Sequence, residues 1–323
     1  MGTFPSTPYF DSLIDDFGIW QHTDGANILR EEGYSLDDAA RGLILTLALG
    51  RDGQSEILLS YILKSRALNS FYGFADSDRK FIPVVASDDA TAQTIWAAGY
   101  ALSKNFHADE MKLLVANVTQ YLDKTKYIRG FAYALLGAIY VDKDLAERYF
   151  RKLQTFFDNT DDDWPWPESI LTYGNGIIPY AFLRYSLVYG DETAARLGRK
   201  ILLFLEERCT YKRQRGPIGN NGWLPRGVEV APMYSQQPID AAYMVWAWFC
   251  AYQLSGKETD KEHSEAWMQW FDGNNVIRAK MYDPEDMRCF DGIDPWGIHY
   301  NSGAESNICL LLSKYMTQEN VTI

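Results

Sequence analysis

The side chains best able to do chemistry in this chain are carboxylates that recur at the starts of apolar, small-residue segments. Asp37 and Asp38 open SLDDAARGLILTLALG, and Asp88 and Asp89 open SDDATAQTIWAAGYALSK. Glu168 follows WPWP, Gln236, Gln237 and Asp240 precede AAYMVWAWFCAY, and Asn301 and Glu305 stand around NSGAES. An acid in a first helical turn is ordinarily a cap facing the positive helix end. Gathered in one partly dry cleft, carboxyl groups instead repel each other and their pKa values separate. One residue type then supplies both a protonated acid and an ionised base. That is the equipment for glycosidic cleavage, in which one carboxyl protonates the leaving oxygen and another activates water on the opposite face. Asp38 and Glu168 are the expected central pair. Asp37, Asp240 and Glu305 are expected to share the catalytic role or, with Gln236 and Gln237, to bind hydroxyls.

Loop residues add a substrate class. Trp20, Trp164, Trp166, Trp223, Trp296 and Tyr300 fall in predicted loops rather than at core spacing. A ring with an apolar face suits the C–H face of a sugar, although bulky rings also plug the ends of a helical barrel. Asn175, Asn220, Asn221, Asn275 and Asn301 offer the neutral donors and acceptors that hydroxyls need. His22 and His299 lie at predicted loop mouths, where an imidazole can serve as acid or base near neutrality. Between Arg208 and Arg226 stand five basic residues (Arg208, Lys212, Arg213, Arg215, Arg226) and no acid, with Gly216, Gly219 and Gly222 among them. Such a loop can cradle phosphate, though it is no Walker motif. No serine-nucleophile motif of the GxSxG type is present.

The elements that must position these groups are helices. Leu36, Ala39, Ala40, Leu43 and Leu47 form an amphipathic stripe, with Ser35 as cap. Ser87 with Asp88 and Asp89 repeats the plan, a weak internal repeat. Further small, nearly all-apolar helices are expected at 125–141, 168–189, 237–255 and 303–317. Half-polar helices are expected at 54–66, 109–122, 143–157, 191–209 and 259–272, and another helix at 9–17. A helix apolar all round is buried, and one with a polar face lies outside. The alternation predicts an all-α (α/α)6 toroid of six hairpins, a single domain over 1–323, with the inner helices pointing their starts at one face. The long connections near 67–87, 158–168, 210–236 and 273–302 fall before inner helices, and long loops in a compact domain are usually functional. No persistent strand alternation predicts a sheet.

Composition excludes other classes. The 323 residues carry 31 basic and 43 acidic groups, a formal charge of −12 that argues against nucleic-acid and anionic-membrane partners. The longest apolar run, Ala241 to Tyr252, is too short for a membrane span. The start, MGTFPSTPYFDSL, does not read as a secretory signal. Cys209, Cys250, Cys289 and Cys309 form no CxxC pair and no zinc spacing, so free thiols in a cytoplasmic, reducing compartment are expected, with no metal.

The string FGIWQHTDGANILREEGYSLDDAARGLILTL resembles the opening of a bacterial and archaeal family of α/α-toroid domains, often fused to or encoded beside glycosyltransferases and mannoside-active enzymes. WPWPESILTYGNGIIPYAFL, GPIGNNGWLPRG, SQQPIDAAYMVWA and NSGAESNICLLL resemble its remaining signatures, so the likeness spans almost the whole chain. It implies the six-hairpin glycosidase-like superfamily, which holds hydrolases, phosphorylases, unsaturated-uronide hydrolases and epimerases. The matching positions are His22, Asp24, Asp37, Asp38, Arg41, Glu168, Asn220, Trp223, Gln237, Asp240 and Glu305. The second repeat, DDATAQTIWAAG, departs from the family pattern at Thr91 to Gln93, so that helix is not carried over as catalytic. The leading expectation is a cofactor-free, inverting glycoside hydrolase acting on an oligosaccharide. Three alternatives stand beside it: a phosphorylase holding phosphate at Arg215 or Arg226, a sugar 2-epimerase with His22 and His299 facing each other, and a non-catalytic glycan-binding module serving a glycosyltransferase.

Overall fold

The described residues of the computed structural model, 4–67, 70–211 and 214–323, form twelve α-helices joined by loops. Lys212 and Arg213 of the basic segment lie outside the described residues. Six helices make an inner ring: α2 (Leu36–Ala48), α4 (Asp88–Ser103), α6 (Ile128–Ala138), α8 (Ile177–Tyr189), α10 (Pro238–Ser255) and α12 (Ala304–Glu319). Each packs on the next, and α12 closes the circle on α2. Around them stand α1 (Pro8–Ser12), α3 (Asp52–Lys64), α5 (Ala108–Leu122), α7 (Lys143–Thr155), α9 (Glu192–Arg208) and α11 (Glu258–Phe271). Outer helices α3, α5, α7, α9 and α11 each pack on the inner helix before them, and α1 packs on α12. The chain therefore has the expected (α/α)6 toroid architecture.

Sequence chemistry explains the two roles. Every residue of α6 is buried, as are most of α4 and α10, whereas α7 buries only Ala146, Tyr149, Phe150 and Leu153 and turns its charges outward. Ser35 and Ser87 cap α2 and α4 through the N–H groups of Asp38 and Ala90, as the sequence predicts. Asp142 and Asp191 cap α7 and α9 in the same way, and Gly190 and Gly256 end α8 and α10 at positive φ. Short turns join inner to outer helices, so the inner helices share one direction. The described residues of the long connections before α2, α4, α8, α10 and α12 then converge at the face where inner helices begin.

Three details differ from the sequence expectation. The N-terminal helix stops at Ser12, because Asp15 turns to accept the N–H groups of Phe17 and Gly18. Helix α8 begins at Ile177 rather than near 168, because Ile170–Leu171 (β5) pairs with Leu224–Pro225 (β8). Sheet is also present in miniature: among the described residues five two-stranded pairs of two or three residues stitch the loops together. They are too short to show an alternating pattern. Among them are the hairpin of Thr23–Asp24 with Asn27–Ile28 (β1–β2) and that of Gly292–Asp294 with Gly297–His299 (β9–β10).

The tightest point of the ring is the α4–α6 crossing. A Cβ on Gly99 would lie 2.2 Å from the Gly137 carbonyl oxygen, and one on Gly137 2.3 Å from that of Ile95. Gly137→Ala is expected to lower the unfolding free energy by about 1–3 kcal/mol in chemical denaturation, because backbone cannot yield as a side chain would. Gly53→Ala, in α3 with open space around it, should instead raise it by about 0.5–1 kcal/mol. Equal effects at both positions would contradict the close approach.

Candidate functional site

A cavity of about 830 Å³ opens at the face where the inner helices start. The first turns of α2, α4, α10 and α12 reach it through Asp37, Asp38, Ser87, Gln237 and Glu305, and the loops add His22, Asp291, His299 and Asn301. At its wall Arg41 is buried, 2% exposed. One of its terminal nitrogens bonds Asp37 Oδ2 at 3.0 Å and Asp38 Oδ1 at 2.9 Å, and the other bonds Glu305 Oε2 at 2.7 Å. Because α2 carries Asp37, Asp38 and Arg41 one turn apart while Glu305 comes from α12, this guanidinium ties the two ends of the helical ring together.

One cation does not neutralise three acids out of water. Burial pushes the Asp38 carboxyl up to about 7, the Asp37 and Glu305 charges adding to the shift and Arg41 opposing it. Asp38 Oδ2 accepts a 2.6 Å hydrogen bond from Ser35 Oγ, which opposes the upward shift. Asp291, at the opposite loop, is also raised by burial. Its Oδ1 accepts from Gly303 N–H at 2.8 Å and Ser306 Oγ at 2.7 Å, and the charges of His299 and His22 pull the other way.

Glu168 is not in this cavity. It lines an adjoining one of about 300 Å³ with Asp88, Asp89, Arg129, Tyr127 and Tyr173, and Ser87 belongs to both walls. The expected Asp38–Glu168 pair is thus divided between two cavities, because the β5 pairing holds Glu168 upstream of α8 instead of at its first turn. Trp166 Nε1 donates to Glu168 Oε2 at 3.3 Å, and Trp164 Nε1 to the Glu168 carbonyl at 2.8 Å. Arg129 stands 3.3 Å from Glu168 Oε2 and also donates to Asn175, Thr172 and the Tyr173 carbonyl. Asp240 lines neither cavity. It is buried, Oδ1 accepting from Gly174 N–H at 2.6 Å while Oδ2 has no partner. Burial raises its carboxyl to about 7.

The remaining sequence candidates divide. Gln237 and Asn301 line the main cavity; Asn220 donates to Gln237 Oε1, and Asn301 Oδ1 accepts from Gly25 N–H at 3.0 Å. Gln236 is buried and accepts from Trp270 Nε1 at 2.8 Å, so it braces the loop instead of binding substrate. Asp24 is exposed on β1 and is not a cavity wall. The expected indole platform is not assembled at the cavity. Trp164 and Trp166 are packed inside, as is Trp20, which stacks on Tyr34; Trp296 is 80% exposed, and Trp223, half-exposed, bonds Asn220. The phosphate candidates are engaged elsewhere, Arg226 with Asp161 at 2.6 Å and Arg215 with Glu206 at 2.6 Å and His263.

Sequence reasoning missed Arg129 and Asp291, and it set Asp89 aside with its helix. A lone arginine in the otherwise apolar IRGFAYALLGA was a usable signal, since arginine is almost never fully buried unless paired. Asp291, in a loop between short strands, carried none.

No family model matches the chain, and no curated protein matches it by sequence. Solved structures do match over nearly the whole length. A sugar epimerase from a ruminal bacterium has a TM-score of 0.74 at 14% identity, covering 98% of this chain and 96% of its own. A D-mannose isomerase gives 0.72 at 12%, covering 97% and 95%. An α-1,6-mannanase from a Salegentibacter species gives 0.65 at 11%, covering 97% and 96%. The chain shares the (α/α)6 toroid fold of these structures.

Asp240→Asn tests the buried electrostatics. A carboxyl raised to about 7 gives its full stabilisation below its unfolded value, about 3.9, and loses it as pH rises through about 7. The wild type should therefore lose thermal stability between pH 5.5 and 8, and the variant should lose less, unfolding at a higher temperature than wild type at pH 8. Parallel pH profiles in differential scanning calorimetry would contradict a buried, neutral Asp240.

Proposed function

We propose that the protein is a carbohydrate-active enzyme that holds a sugar in the main cavity and cleaves a glycosidic bond there. The observation that carries this reading is Asp38, a buried carboxyl raised to about 7 beside two others, Asp37 and Glu305, salt-bridged to the same arginine. An acid that keeps its proton near neutrality can donate it to a departing glycosidic oxygen, with the Ser35 hydroxyl, which donates to Oδ2, holding the carboxyl in place. Glu305 bonds Arg41 through Oε2 alone, and its Oε1 is the group we assign to activating water, so that Glu305 replaces Glu168 as the partner of Asp38. The fold shared with a mannanase supports the same substrate class. Phosphorolysis fits less well, because Arg215 and Arg226 are paired away from the cavity and both terminal nitrogens of Arg41 already bond carboxylates.

A second reading rests on His22, Asp291 and His299. Both histidines line the cavity and act electrostatically on the same carboxyl, an arrangement able to move a proton at the carbon beside a sugar carbonyl. Folds shared with a sugar epimerase and a mannose isomerase support it.

Incubation with neutral manno- and gluco-oligosaccharides in deuterium oxide separates the two. Hydrolysis predicts shorter products, with kcat falling about 10²–10⁴-fold in Asp38→Asn and activity declining as pH rises through about 7, where Asp38 loses its proton. Deuterium at C2 without bond cleavage, abolished in His299→Ala, would replace the first reading by the second. Binding without either product would leave only a glycan-binding module.

A further inference from the structure

The smaller cavity has the makings of a site of its own. Its polar groups are fixed by surrounding side chains. Asp88 accepts from Tyr121 and Thr125, Asp89 accepts from Tyr173 Oη at 2.9 Å, and Glu168 is held by Trp164 and Trp166. Arg129 is 5% exposed and has every nitrogen engaged: Nε on the Tyr173 carbonyl at 2.7 Å, one terminal nitrogen on Glu168, the other on Thr172 and Asn175 at 2.9 Å each. Its guanidinium lies 4.7 Å from the Tyr173 ring centre. At the rim Tyr127 stands 68% exposed at the foot of α6, an aromatic face that nothing in the fold requires to be there. A preorganised polar floor with an exposed ring beside it is the recognition chemistry of a pyranose.

Charge narrows the ligand. Asp88, Asp89 and Glu168 outnumber Arg129, and that arginine offers no free edge for a bidentate anion. A uronate or phosphosugar would meet like charge here. The two cavities adjoin at Ser87, which lines both, and Asp89 feels the charge of Asp37 across the boundary.

We propose that the cavity formed by Asp88, Asp89, Arg129, Glu168, Tyr127 and Tyr173 is a second saccharide subsite, taking an uncharged sugar unit linked to the one in the main cavity. The substrate is then an oligosaccharide that runs past Ser87, not a free monosaccharide. This rests on the reading of the main cavity as a sugar site, and it holds for either reaction proposed there.

Titration calorimetry with mannose, mannobiose and mannotriose, and with glucose, cellobiose and cellotriose, tests it. In at least one series the disaccharide should bind tenfold or more tighter than its monosaccharide. Tyr127→Ala should abolish that chain-length difference, and Glu168→Gln should reduce it. A disaccharide carrying glucuronate should bind tenfold or more weaker than its neutral counterpart. Affinity independent of chain length, or a chain-length gain that survives Tyr127→Ala, would overturn the second subsite while leaving the main cavity as a sugar site. No binding of any of these sugars to the wild type would overturn both.

Discussion

The structure depends on one buried guanidinium. Arg41 accepts the charge of Asp37 and Asp38 from its own helix and of Glu305 from the helix that closes the ring. Without a cation those acids could not stand together out of water; with only one, they cannot all ionise at ordinary cost. That contact joins the ends of the toroid, while burial and the Asp37 and Glu305 charges, working against Arg41, push the Asp38 carboxyl up to about 7.

The ring around that contact is built by size as much as by apolarity. Glycines where α4 crosses α6 let the backbones meet, and helices with few side-chain atoms fit inside a ring of amphipathic ones. Since all inner helices begin at one end, the long connections gather there, and short strand pairs such as β5–β8 and β9–β10 give them fixed shapes. The cavities are thus framed by helix starts and completed by loops, which is why residues as distant as His22, Asp291 and Glu305 share one wall.

Much of this was legible in the residues. Helical period and the Ser35 and Ser87 caps located the inner helices, and the acids following those caps located Asp37 and Asp38. What failed were readings that needed loop geometry. WPWPES reads as a cap followed by a helix, yet β5 pairing keeps Glu168 in a separate cavity and packs both tryptophans inward. Tryptophan in a loop does not announce whether it faces solvent or core. Asp89 was visible but set aside because its helix departs from the family pattern further along; the structure places it at the second cavity beside Arg129.

The central claim, that burial beside Asp37 and Glu305 keeps a proton on Asp38 for use in the main cavity, is tested most directly by following the Asp38 carboxyl carbon by NMR across pH, assigned with Asp38→Asn. The account predicts a midpoint near 7, shifted downward when Glu305→Gln removes one of the neighbouring negative charges. A midpoint at the ordinary aspartate value of about 3.9 would contradict it.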